Sequence, residues 1–153
     1  MTLIHHVGLT VSDLERSLDF YIRLLGMSHL GTFERSGPQV DAVTGYPGVV
    51  VRQAFARPLR ADCVVELLQY VGGNPDPIDP ENGRVGAVHV AVEVAELDRT
   101  LDRLREEGVI ALSDPIVAGV GPMAGCRVVY VLDPDRVRVE LVEPPTATPT
   151  QAS

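Results

Sequence analysis

The chain has 153 residues, a net charge of −8 and 13 cations, all of them arginine. A chain of this length buries roughly 70% of the surface its unfolded form exposes, so it needs no disulfide or structural zinc, and no apolar run reaches the roughly 18 residues of a membrane span. The acidic balance argues against nucleic acid, whose binding requires clustered cations, and the absence of lysine excludes Schiff-base chemistry, pyridoxal phosphate attachment and the P-loop lysine.

From Leu3 to Val11 the pattern alternates, predicting a strand with Leu3, His5, Val7, Leu9 and Val11 on one face and Ile4, His6, Gly8 and Thr10 on the other. Leu14, Leu18, Tyr21 and Leu25 follow at helical spacing, with Ser12 and Glu15 expected as a capping box and Gly26 as the left-handed stop. Short strands are expected over about 27–34, 49–55 and 62–71. The stretch GGNPDPIDPENG, residues 72–83, is too rich in glycine, proline and acidic residues for a regular element, and marks a linker over 72–85. Beyond it Val88, Val90, Val92 and Val94 form an apolar strand face, with Ala87, His89, Ala91 and Glu93 opposite. Leu97, Leu101 and Leu104 repeat the helical stripe, without a capping serine because Ala95 stands in its place, and Gly108 ends it. Strands are then expected over 109–112, 127–132 and 137–142, and the tail 146–153 is expected to be disordered.

These elements are one unit written twice. HVGLTVSDLERSLD, residues 6–19, aligns without gaps on HVAVEVAELDRTLD, residues 89–102, with 7 of 14 positions identical. Each copy is followed by a glutamate in an apolar run: Glu66 in VVELLQY, 60 residues after His6, and Glu140 in VRVELVE, 51 residues after His89. The organisation is thus βαβββ twice, with modules at about 3–71 and 86–143. Folded together by a pseudo-twofold, the repeats would bring two histidines and two glutamates to one centre.

Taken singly, each of these residues has a plainer reading. A glutamate between VV and LL can turn outward to water, and a strand histidine is more often an ordinary polar residue than a ligand. If turned inward, each carboxylate needs compensation, because an unpaired buried charge costs several kcal/mol. Recurrence of His and Glu at matched places in both repeats favours a shared role. Cys63 and Cys126, single and far apart with no secretory leader before them, point to a reducing cytoplasm.

The segments HHVGLTVSDLERSLDFYIRLLGM, GAVHVAVEV and YVLDPDRVRVELVE resemble the start, midpoint and end signatures of the vicinal oxygen chelate superfamily. The resemblance extends to about Glu143 and implies an α+β fold, two tandem βαβββ modules forming a cupped eight-stranded mixed sheet around a divalent metal. Carried over residue by residue, the metal ligands are His6, Glu66, His89 and Glu140, with Glu66 and Glu140 as candidate catalytic bases. Two imidazoles and two carboxylates suit one Zn, Ni, Co, Fe(II) or Mn ion, which would stabilise an enolate formed beside a bound carbonyl. His5 and His29 have no family role, and strand parity turns His5 away from His6.

The His, Glu, His, Glu set is that of glyoxalase I, but that enzyme usually carries an arginine and an asparagine, both helping to hold glutathione, where Thr10 and Tyr70 stand here. Methylmalonyl-CoA epimerase generally has glutamine at the place of Glu66, and extradiol dioxygenases use only the two histidines and the last glutamate. Other expectations are that GVGPMAG, residues 119–125, is a loop over the cleft mouth, that Arg138 shares the parity of Glu140, and that Tyr46, Arg52, Tyr70 and Met123 line the pocket. Arg136 falls in a turn where the family usually has glycine. The expected protein is a cytoplasmic, homodimeric isomerase, epimerase or lyase for a small oxygenated metabolite, without nucleic-acid or membrane partners. The alternatives are an Fe(II) dioxygenase and a non-catalytic metabolite- or drug-binding protein.

Overall fold

The alternating segment at the start of the chain forms β1 (His6–Thr10), and the helical stripe after it forms α1 (Leu14–Leu18), continued by a π-helical turn over Asp19–Leu24. In this computed structural model residues 2–59, 63–73 and 76–145 are described; the expected start of a strand at 62 and the expected disordered tail lie outside them. Next come β2 (Ser28–Arg35), α2 (Pro38–Thr44), β3 (Val50–Arg57) and β4 (Val64–Val71). The second copy supplies β5 (His89–Glu93), α3 (Leu97–Glu106), β6 (Ile116–Val117), β7 (Arg127–Leu132) and β8 (Arg138–Glu143). Two compact units result, one comprising Met1–Val88 with Asp133–Val137, the other His89–Leu132 with Arg138–Ser153.

Each unit contains a four-stranded mixed sheet of the same topology, ordered β1-β4-β3-β2 in the first and β5-β8-β7-β6 in the second. The opening strand of each copy runs parallel to its last, and the remaining neighbours are antiparallel. One face of each sheet is covered by its helix. In the first unit Leu14 and Tyr21 are fully buried with Leu67; in the second, Leu97, Leu101 and Leu104 are buried with Val139 and Leu141. The opposite face carries the histidines and glutamates.

Several expectations need correction. Ser12 does not cap α1: Asp13 does, its carboxylate accepting from the Arg16 amide at 3.0 Å, while the Ser12 hydroxyl donates to Asp135. The expected strand at 109–112 is reduced to one bridge, Ala111 with Val131, and the edge strand forms at Ile116–Val117. Helix α2 had no apolar periodicity to announce it. It begins with Pro38 in its first turn and closes on Gly45, whose φ of 76° is open to glycine at little cost. The π-helical turn widens α1 just where Phe20 and Tyr21, adjacent in sequence, are both buried, with the Leu25 amide donating to the Phe20 carbonyl five residues back. Gly26 and Gly108 end their helices at φ 76° and 77°, as expected.

Candidate metal centre

On β4, Glu66 shares a face with Val64, Leu68 and Tyr70, and the parallel register places Gly8 of β1 beside it. His6 lies two residues before Gly8 on that face. Its imidazole Nε2 sits 3.3 Å from Glu66 Oε2. The second unit repeats this arrangement: Ala91 of β5 pairs with Glu140 of β8, His89 lies two residues before it, and His89 Nε2 is again 3.3 Å from Glu140 Oε2. The two glutamates are 14% and 18% exposed, and the two histidines 42% and 41%. Two independent copies thus converge on one geometry. Among the described residues the structure gathers these two pairs, and no group of three or more His, Cys, Asp or Glu side chains in metal-binding range.

The pairs fit a divalent ion better than an ordinary ion pair. A charge-assisted hydrogen bond from histidine to carboxylate is usually about 2.7–2.9 Å, so 3.3 Å is long for one. Two ligands each about 2.1 Å from one ion are about 3.0 Å apart at a right angle and about 3.4 Å apart at a tetrahedral angle. Both pairs fall in that range.

On one side each glutamate has a small neighbour. A Cβ added at Gly8 would lie 3.6 Å from Glu66 Oε2 and 3.4 Å from Leu68 Cδ1, ordinary contacts that the second copy makes real with Ala91. On the other side of each glutamate the register places an aromatic ring, Phe55 beside Glu66 and Tyr130 beside Glu140. Tyr130 also meets the His89 ring edge-on, with centroids 5.3 Å apart. Burial and the neighbouring Glu140 carboxylate push its phenol upward, partly offset by Arg138, so it stays protonated at neutral pH.

His5 is not turned away from His6. It precedes the first paired residue of β1, where strand parity no longer applies, and its Nδ1 lies 2.9 Å from His6 Nδ1. His29 pairs instead with the Thr32 hydroxyl at 2.9 Å. Arg52 also departs from expectation: it belongs to the helix-covered face and bridges Glu15 of α1 at 2.7 Å and Gln69 at 3.1 Å. Tyr70 does line a cavity, of about 380 Å³, which Glu66 enters and which Val40 of α2 and Leu68 partly wall. Tyr46 packs edge-on against Tyr70 at 5.9 Å. Gln53 and Arg35 line the same cavity and were missed from sequence, although both share strand parity with Glu66 once the register is known. Residues 119–125 form the β6–β7 connection, with a single 3₁₀ turn at Gly121–Met123.

The fold and its paired histidines and glutamates define a protein of the vicinal oxygen chelate type. Residues 3–141 match the Glyoxalase/Bleomycin resistance protein/Dioxygenase superfamily, and the chain belongs to it. It is 28% identical over 149 residues to 2-epi-5-epi-valiolone epimerase from an Actinomyces species, covering 95% of this chain and 81% of that one. It is 33% identical over 140 residues to a probable lactoylglutathione lyase of Synechocystis, covering 90% and 92% of the two chains, and 29% identical to lactoylglutathione lyase of Escherichia coli O157:H7, covering 90% of each. In fold it is similar to a glyoxalase family protein from Bacillus cereus, with a TM-score of 0.77, 19% identity and 94% of each chain covered.

Proposed function

We propose that this protein is a metal-dependent enzyme that moves a proton beside a carbonyl of a small oxygenated metabolite, as an isomerase, epimerase or lyase. His6, Glu66, His89 and Glu140 are its four metal ligands. The observation that carries this reading is the repetition of one His–Glu pair at 3.3 Å in both units. A Zn, Ni, Co, Fe(II) or Mn(II) ion held by them would polarise the substrate carbonyl and stabilise negative charge developing on its oxygen.

The chain's own residues supply the proton transfer. Glu66 and Glu140 are mostly shielded from water, and a carboxylate in such a place is the group to take a proton from carbon and return it. The imidazoles, engaged as ligands through one ring nitrogen, would not be free to serve as bases. Gly8 and Ala91 leave the carboxylates room to swing, and Phe55 and Tyr130 stand beside them on the neighbouring strands. An epimerase and lactoylglutathione lyases among the relatives support proton transfer, while Thr10 and Tyr70, in place of the glutathione-holding residues, argue for a different substrate.

Elemental analysis after refilling with each of the five ions is expected to find one ion for each set of four ligands, and His6→Ala or Glu140→Ala to lose most of it. No stoichiometric ion with any of them would sink the four-ligand reading. With a substrate in hand, turnover should persist without oxygen and carry solvent deuterium into the product, and Glu66→Gln or Glu140→Gln should slow it by about 10²-fold or more. Oxygen-dependent turnover surviving the loss of Glu66 would make the enzyme a dioxygenase instead.

A further inference from the structure

Among the polar groups that line the cavity beside Glu66 and that the metal site leaves unused are Gln53 and Arg35. Gln53 is only 7% exposed, yet its side-chain amide has no hydrogen-bond partner among the described residues, and its polar atoms open on the cavity rather than being sealed in protein. A buried amide without a protein partner is costly unless something inside the cavity takes its bonds. Arg35 lines the same cavity, and among the described residues its guanidinium has no carboxylate partner, unlike Arg16, Arg52 and Arg127. Between them the wall is largely apolar, formed by Val40, Val51, Leu68 and Tyr70.

We propose that the substrate is a small acid with an oxygenated head beside His6 and Glu66 and a second carboxylate at the far end, held by Arg35 and by the Gln53 amide. The position of the head rests on the function proposed above. The register sets the length: Arg35 pairs with Val51 and Val51 with Tyr70, so Arg35 stands two strands away from β4 and four residues along from Glu66. That is roughly 16 Å between Cα atoms, and once both side chains have reached inward a gap of roughly 5 Å remains. Two or three carbons span it. The overall negative charge of the chain makes this local cation the means of admitting an acid at all.

The test uses 2-oxobutyrate, 2-oxoglutarate and 2-oxoadipate, which share one chelating head and differ in the presence and reach of a second carboxylate. Calorimetric titration of the full chain, zinc-loaded and metal-free, is expected to show one of the two diacids binding at least tenfold more tightly than 2-oxobutyrate, and Arg35→Met to erase that preference while leaving 2-oxobutyrate unchanged. Gln53→Leu is expected to weaken the diacid tenfold or more with an unchanged or raised melting temperature, a combination that a purely structural glutamine would not give. Equal binding of all three acids, or a preference that survives Arg35→Met, overturns the proposal. Wild-type affinity in Gln53→Leu overturns the role of the amide. Zinc uptake is read on the same samples: its failure removes the metal reading alone, because the dependence on Arg35 is still scored in metal-free protein.

Discussion

At Tyr21 a phenol is sealed in the core of the first unit, its hydroxyl donating to Asp133 Oδ2 at 3.0 Å. Burial, reinforced by the carboxylates of Asp133 and Asp135, holds its ionisation well above the ordinary tyrosine range. The unfolded chain therefore releases this proton near pH 10 while the folded chain keeps it. The stabilisation is complete below pH 10 and lost above it, by up to about 1.4 kcal/mol per pH unit. Tyr21→Phe should flatten this alkaline slope in urea titrations run from pH 8 to 11, and cost about 1–2 kcal/mol at pH 7 through the lost bond to a buried carboxylate. In the turn that follows Asp133, Arg136 holds φ at 68°, at the place where the family usually has glycine. Asp133 Oδ1 fastens the turn by accepting from the Asp135 and Val137 amides. Arg136→Gly should stabilise the protein by roughly 0.5–1 kcal/mol in the same titrations, the left-handed penalty outweighing the flexibility gained.

Among the elements, α3 shows how a strand can supply what a helix lacks. Glu96 at its N-terminus makes no side-chain cap, and Glu143 at the end of β8 takes the role, accepting from the Leu97 amide at 2.8 Å. The other oxygen of Glu143 receives Arg127 at 2.9 Å, and Arg127 in turn bridges Asp98 at 2.7 Å. These two acids hold the Arg127 proton even more firmly than usual. Glu143→Ala should therefore cost about 1–2 kcal/mol, since it uncaps the helix and releases Arg127 together. Glu96→Ala, which removes only an exposed pair with Arg99, should cost about 0.5 kcal/mol or less. Equal effects of the two substitutions in denaturant melts would mean that Glu143 is not the cap.

At the scale of the whole molecule, each unit presents one His–Glu pair, and the proposed metal site needs two of them. A homodimer is expected by sedimentation at micromolar concentration. Co-refolding His6→Ala with Glu140→Ala tests how the halves are combined. If each ion takes one pair from each of two copies, a mixed dimer regains one intact site and binds metal again. If both pairs come from one chain, every site in the mixture stays broken and metal retention does not recover.

The duplicated segment made the topology legible before any coordinates, because a 14-residue match carries both the strand parity and the helical stripe with it. It also singled out His6, Glu66, His89 and Glu140, because recurrence at matched places in both copies favours a shared role. What sequence could not settle depended on partners distant along the chain. Ser12 looked like a cap by local spacing, yet Asp135, 123 residues away, claims its hydroxyl. His5 looked averted by alternation, yet the strand begins after it and its ring meets His6. Gln53 and Arg35 carry no mark of their own: they enter the cavity only because the register sets β3 and β2 beside Glu66. Periodicity and repetition are local properties that a sequence determines by itself, whereas the company a side chain keeps is decided by strand register, which exists only once the sheet has formed.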